Sequence, residues 1–111
     1  MKLYIKGAVF ERKIIHDLID MGAILAIRGA GSKSAGSIKA DIMALFPSGY
    51  LVIIQAKTSK RKFKKEKEEF MAHKGIQAKR IIWLWATPKH YKEDLKEIAE
   101  IVKQKAPALR P

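Results

Sequence analysis

Two apolar runs, 40–46 (ADIMALF) and 50–57 (YLVIIQAK), flank a short turn at 47–49 (PSG). Proline and glycine favour tight turns, and each run has the length of one strand. The sequence therefore predicts an antiparallel hairpin centred on this turn. In that register Asp41 and Gln55 are equidistant from the turn centre, so we expect them to lie side by side.

The other segments predict a helix-flanked sheet. Apolar residues recur with helical spacing through 8–21, which places Glu11 in the first turn of a helix. The segment 29–37 (GAGSKSAGS) is a predicted loop, because glycine and serine dominate it. The remaining predicted elements are strands at 23–28 and 80–86 and helices at 63–74 and 90–106. The order α-β-β-β-α-β-α predicts a single α/β domain over residues 1–111, with a central mixed sheet flanked by helices.

The chain is strongly basic, with 23 Lys and Arg against 11 Asp and Glu in 111 residues and a net charge of +12. Such a balance is typical of proteins that bind a polyanion, although solubility alone is an alternative explanation. The run 57–67 (KTSKRKFKKEK) holds seven positive charges and one negative charge. Its two interpretations are a solvated charge run and a set of contacts to nucleic-acid phosphates, and we favour the second.

Several classes of protein are excluded. The chain has no cysteine, which excludes a disulfide scaffold, a Cys-ligated zinc site and thiol catalysis. No apolar run reaches the ~20 residues of a membrane helix, and the start lacks a signal-peptide core, so we expect a cytoplasmic protein. The 29–37 loop lacks the Gly-Lys-Ser/Thr ending of a P-loop and precedes a strand, so we expect no nucleotide site. Absence of Asn and Cys with abundant Lys, Glu and Ile favours a thermophilic origin.

Polar side chains collect at one end of the predicted hairpin. Gln55 and Lys57 alternate with Ala56, so both point to one face, and Glu11 can be brought to the same edge. Two carboxylates and an amide oxygen are hard ligands that suit magnesium, and a lysine beside them can hold a water or steady a phosphate. The alternative is that Asp41 is a cap or a solvated residue and that Glu11 is merely solvated.

Trp83 and Trp85 point to one face of the predicted strand 80–86, and Ile82 and Leu84 to the other. The tryptophans have two interpretations that the sequence leaves open. One is a place in the core, and the other is a subunit interface, where aromatic residues are enriched.

Several short motifs occur in order between Lys6 and about Lys60, roughly half of the chain. They are Gly7-x-x-x-Glu11-Arg12, Ala26-Ile27-Arg28 leading into the Gly/Ser loop with Ser32, Asp41-Ile42, and Gln55-x-Lys57. In this order and spacing they resemble the archaeal Holliday junction resolvases of the PD-(D/E)xK nuclease superfamily. The resemblance implies a restriction-endonuclease-like fold, and a metal-dependent endonuclease that resolves four-way DNA junctions by paired nicks.

The resemblance also implies roles for individual residues. Asp41 is the expected metal-bridging carboxylate, Lys57 the catalytic lysine, and Ser32 the loop serine near the scissile phosphate. The expected catalytic residues are Glu11, Ser32, Asp41, Gln55 and Lys57. The expected ligands of Mg²⁺, or of Mn²⁺, are Glu11, Asp41, Gln55 and the Ala56 carbonyl. DNA contacts are expected from Lys6, Arg12, Arg28, Lys33, Lys60, Arg61, Lys62, Lys64 and Lys65.

Gln55 departs from the family pattern, in which a glutamate is usual. An amide oxygen can bind magnesium but brings no charge, so metal affinity should fall. The sequence leaves open whether this glutamine is natural or engineered. It also leaves two alternative functions: another superfamily nuclease acting on duplex DNA, and a non-catalytic junction-binding module. The family resemblance and the near two-fold symmetry of a four-way junction both imply a homodimer.

Overall fold

The computed structural model describes residues 2–29, 40–58, 64–75 and 79–107. The elements follow the predicted order α-β-β-β-α-β-α. They are α1 (Lys2–Asp20), β1 (Leu25–Arg28), β2 (Ile42–Leu45), β3 (Leu51–Ala56), α2 (Lys64–Met71), β4 (Ile81–Ala86) and α3 (Tyr91–Val102), with a 3₁₀ turn at Ala72–Gly75 after α2.

The strands form one mixed sheet in the order β1-β2-β3-β4. The pairs β1/β2 and β2/β3 are antiparallel, whereas β3/β4 is parallel and is connected through α2. Ile42 lies opposite Ile54, and Leu45 lies opposite Leu51. Gly49 closes the turn with φ of 101°, a conformation that favours glycine, and donates a hydrogen bond to the Phe46 carbonyl at 2.9 Å. The predicted hairpin and its register are confirmed.

The main core lies between one face of the sheet and the helices α1 and α3. Alternate residues of the central strands, among them Ile42 and Ile54, are fully buried there because strand side chains alternate between faces. The two helices meet through Phe10 and Tyr91, whose rings pack edge to face with centroids 5.0 Å apart. The helical residues of this core are Phe10, Ile14, Leu18, Tyr91, Leu95, Ile98 and Val102.

A smaller core lies on the opposite face, where α2 covers β3 and β4. Phe70 of α2 packs edge to face on Trp83, with ring centroids 5.7 Å apart, and also contacts Trp85 at 6.1 Å. Trp83 is buried in this cluster together with Ile53. The predicted orientation of the two tryptophans is confirmed, and burial assigns Trp83 to the core.

The same face of β1 and β2 is left uncovered by α2. Leu25 and Ile27 of β1 lie opposite Leu45 and Met43 of β2, and all four side chains are exposed by 38–52%. Cross-strand pairs share a face, so these residues form one apolar surface, which we call the β1/β2 face.

Helix α1 begins earlier than predicted, at Lys2 instead of residue 8, so Glu11 lies in the middle of the helix and not in its first turn. The helix continues through Gly7 because a single glycine costs only about 0.5–1 kcal/mol relative to alanine. It ends in a Schellman motif, in which Gly22 and Ala23 donate to the carbonyls of Ile19 and Leu18. No helix in the described part of the chain is long and apolar enough to cross a bilayer.

Candidate active site

Asp41 is held where the ends of β1, β2 and β3 meet. Its amide donates to the Ile54 carbonyl at 2.9 Å, and its carbonyl accepts a hydrogen bond from Gly29 at 2.7 Å. Its carboxylate Oδ2 accepts a hydrogen bond from the Ala56 amide at 3.0 Å. Because Asp41 bonds to the residues on both sides of Gln55, the predicted juxtaposition of Asp41 and Gln55 is confirmed.

Gln55 lies on the face of β3 that α2 covers, opposite Trp85 of β4. Its side-chain Oε1 is buried and accepts no hydrogen bond from any described residue. Leaving a buried acceptor unpaired costs about 1–3 kcal/mol of folding free energy, and a ligand bound to this oxygen would offset that cost. The strand position of Gln55, and not a hydrogen bond to Oε1, determines the face on which this side chain lies.

Lys57 follows directly after β3, and its amide donates to the Ala86 carbonyl at 3.0 Å. Its Nζ lies 3.4 Å from the Glu66 carboxylate in the first turn of α2. The contact brings the lysine to the α2 face of the sheet, the face on which Gln55 lies. Glu66 was missed by the sequence reasoning, although a signal existed: it is the one acid in the basic run 57–67.

Glu11 forms an ion pair with Arg28, whose Nε donates to Oε1 at 3.0 Å. Arg28 ends β1, and the next residue, Gly29, bonds to Asp41, so the pair flanks the edge that Asp41 occupies. Both side chains are partly solvated, and such pairs contribute only about 0–1 kcal/mol to stability. Glu11 can therefore leave the ion pair at little cost and bind another cation, and Arg28 can bind another anion.

The oxygen donors at this edge fit a hard divalent cation. The Asp41 carboxylate, the Gln55 amide oxygen and the Ala56 carbonyl are the ligand types that Mg²⁺ prefers. Within the described ranges, no three or more residues of the types His, Cys, Asp and Glu gather as a metal-binding group. The donor set is therefore poor in charge, as the Gln55 departure predicts.

The expected DNA-contacting residues are only partly described. Arg12 is exposed on α1, and Lys64 and Lys65 are exposed in the first turn of α2. Positive charges at a helix N-terminus interact unfavourably with the helix dipole, so helix stability does not account for these two lysines. Lys6 lies in α1. The predicted residues outside the described ranges are Ser32, Lys33, Lys60, Arg61 and Lys62, together with most of the 29–37 loop.

Gly29 is a further site residue that sequence reasoning did not single out. A Cβ built on it would lie 2.9 Å from the Ala40 carbonyl oxygen, and so backbone would have to move beside Asp41. We expect Gly29→Ala to destabilise the fold by about 1–3 kcal/mol, the usual cost of overpacking, and to lower catalysis by displacing Asp41. Urea unfolding and cleavage rates measure the two effects.

Gly7→Ala is the matched control, because nothing lies within 4 Å of a Cβ at Gly7 and the residue is helical. This change should stabilise the protein by about 0.5–1 kcal/mol. Equal stability and equal rates for Gly29→Ala and the unaltered protein would contradict the close approach at Gly29.

The fold and this edge together define a class of protein. A mixed sheet with an aspartate before one strand and a lysine after its neighbour is the restriction-endonuclease-like arrangement of a nuclease. Residues 2–80 match the model of one family within that class, the archaeal Holliday junction resolvases (hjc). The match covers more than half of the chain, and the chain belongs to this family of junction-cutting nucleases. Comparison of the chain with curated proteins and with solved structures found no match.

Proposed function

We propose that this protein is a Mg²⁺-dependent endonuclease that resolves four-way DNA junctions by paired nicks. The observation that carries the proposal is the edge shared by Asp41, Gln55 and Lys57 in a chain of the resolvase family. The test is incubation with Mg²⁺ and labelled junction, duplex and flap DNA. Selective symmetric nicking of the junction supports the proposal. Cutting of duplex, or binding without cutting, supports one of the two alternatives.

The residues at this edge have separable tasks. Asp41, Gln55 and the Ala56 carbonyl would hold the ion, with Glu11 available once it leaves Arg28. A bound Mg²⁺ supplies charge neutralisation and polarisation of the scissile phosphate. Lys57 orients the attacking water or the phosphate, and Glu66 positions the ammonium group for that task.

Gln55→Glu tests whether the uncharged amide of Gln55 limits the affinity of the site for Mg²⁺. The added charge is repelled by Asp41 in the metal-free protein and attracted by a bound cation. We therefore expect half-maximal cleavage at roughly tenfold lower Mg²⁺, which corresponds to about 1.4 kcal/mol of binding free energy. We also expect Mg²⁺ to raise the melting temperature of the variant more than that of the unaltered protein.

The control for this variant is Gln104→Glu, an exposed position after α3. It adds the same charge and should leave the Mg²⁺ dependence unchanged. A Gln55→Glu protein that is folded and needs more Mg²⁺ would remove Gln55 from the ligand set.

Neutralising the basic run tests its role in affinity. The replaced residues are Lys60, Arg61, Lys62, Lys64 and Lys65. Phosphate contacts carry no sequence information, so binding to junction and duplex should weaken together. On duplex, the slope of log K against log salt should fall by about 0.9 for each phosphate that the variant no longer neutralises. An unchanged slope in a salt titration would mean that the run is merely solvated.

Paired nicks on a two-fold junction need two active sites, which a C2 dimer supplies. We infer that two copies pack through the β1/β2 face. Its four exposed apolar side chains continue the buried cluster under α2, and no Lys, Arg, Asp or Glu interrupts their cross-strand pairs. The charged backbone of DNA gains little from such a surface without cations, whereas a second copy covers apolar area with apolar area. A cytoplasmic location and a thermophilic origin stay predictions.

A further inference from the structure

A groove runs between α1 and α3 on the side of the molecule that holds the main core. Two adjoining cavities of about 580 and 550 Å³ share Val9, Lys13, Tyr91 and Lys92 as lining residues. Because they share walls, they form one continuous depression, which we call the α1/α3 groove. The packed rings of Phe10 and Tyr91 fix the spacing of the two helices beneath it.

One end of the α1/α3 groove lies beside the backbone of Lys57, whose side chain is on the opposite, α2 face of the sheet. Thr58 lines one end, and it directly follows Lys57. The groove then follows α1 to His16 and Asp17. From Val9 to His16 an α-helix rises about 10 Å. Measured along the axis of a duplex arm, that length corresponds to roughly three charges of one strand, which are spaced about 3.4 Å apart on the axis.

Among the described lining residues, the cations Arg12, Lys13 and Lys92 outnumber the one acid, Asp17, and part of the floor is apolar. Lys13 on α1 and Lys92 on α3 are exposed, and neither forms a salt bridge with any described residue. Arg12 adds a third cation farther along. Val9, exposed by 42%, gives a surface that suits the apolar edge of a deoxyribose, and the largely buried Tyr91 forms part of the floor.

We propose that the α1/α3 groove binds the sugar–phosphate backbone of a junction arm, with Lys13 and Lys92 contacting phosphates of the strand that leaves the active site. The inference rests on the proposed function, in which the DNA strand that is cut lies at Lys57. An acidic peptide has compatible charge. DNA is favoured because Thr58, at one end of the groove, directly follows Lys57 of the candidate active site. Neither lysine belongs to the basic run 57–67, so this is a separate contact surface.

A salt titration measures the contribution of the groove. In an Asp41→Asn background, which prevents cutting, Lys13→Gln/Lys92→Gln should reduce the slope of log K against log salt by about 1.8 on duplex arms. The control is Lys96→Gln/Lys105→Gln, which removes the same charge from exposed positions that do not line the groove. An equal change in both double variants would overturn the proposal.

Cysteine protection locates the contact independently of activity. The chain has no cysteine, so Lys92→Cys and Lys96→Cys each introduce a single thiol. Junction DNA should slow alkylation by a maleimide at position 92 severalfold and leave position 96 unchanged. Equal rates with and without DNA at position 92, or equal protection by polyglutamate at matched charge, would overturn the groove as a DNA site.

The same samples separate this inference from the proposed function. Junction cleavage by the unaltered protein tests the function, and protection at position 92 tests the groove. Cleavage without protection would reject the groove alone. Protection without cleavage would keep the groove as a DNA contact and reject the catalytic assignment.

Discussion

Asp41→Asn is expected to abolish junction cleavage and to leave junction binding intact or stronger. Asparagine keeps an oxygen that can accept the hydrogen bond from Ala56, so the edge should keep its shape. It loses the carboxylate charge that lies beside Gln55. A loss of several kcal/mol of transition-state stabilisation corresponds to a rate reduction of roughly a thousandfold or more. Single-turnover cleavage and a gel-shift assay measure the two properties.

The matched control is Asp20→Asn, an exposed aspartate at the end of α1. It removes the same charge and should cut at the normal rate. Wild-type cleavage by the Asp41→Asn protein would show that the chemistry occurs elsewhere.

Ile27→Lys is expected to convert the proposed dimer into a monomer and to uncouple the two proposed nicks. Ile27 is exposed by 47% on the β1/β2 face, opposite Met43. A lysine there places a charge in the proposed apolar interface, and burial of that charge without a partner costs several kcal/mol. Sedimentation should show the monomer, and a cruciform plasmid should accumulate nicked circles instead of linear product.

Ile101→Lys provides the control, since Ile101 is exposed by 42% on α3, away from the β1/β2 face. It should remain dimeric and release linear plasmid. If both variants stay dimeric, the second copy packs elsewhere. If both become monomeric, the effect is not specific to the β1/β2 face.

The hairpin shows why part of the site could be predicted from the sequence. A turn with glycine at 49 fixes the register of the strands around it, and register alone places Asp41 beside Gln55. The faces of β4 follow in the same way, since alternation separates Trp83 from Leu84. These are local relations that strand geometry dictates.

Contacts between distant elements were not predictable in this way. The pairing of Lys57 with Glu66 depends on where α2 begins, and the Glu11–Arg28 ion pair depends on how α1 crosses the sheet. Gly29 beside Ala40 is a close approach of two backbones, for which the sequence carries no periodic signal. The start of α1 was missed because Gly7 suggests a boundary that the helix tolerates.

The edge of Asp41, Gln55 and Lys57 is the proposed site of the catalytic cation. Fe²⁺ in place of Mg²⁺, with ascorbate and peroxide, generates radicals that cut the polypeptide beside the bound ion. We expect chain cleavage near Asp41 and near 55–57, suppressed by excess Mg²⁺ and absent in Asp41→Asn. Cleavage confined to other parts of the chain, or unaffected by Mg²⁺ and by Asp41→Asn, would contradict the account.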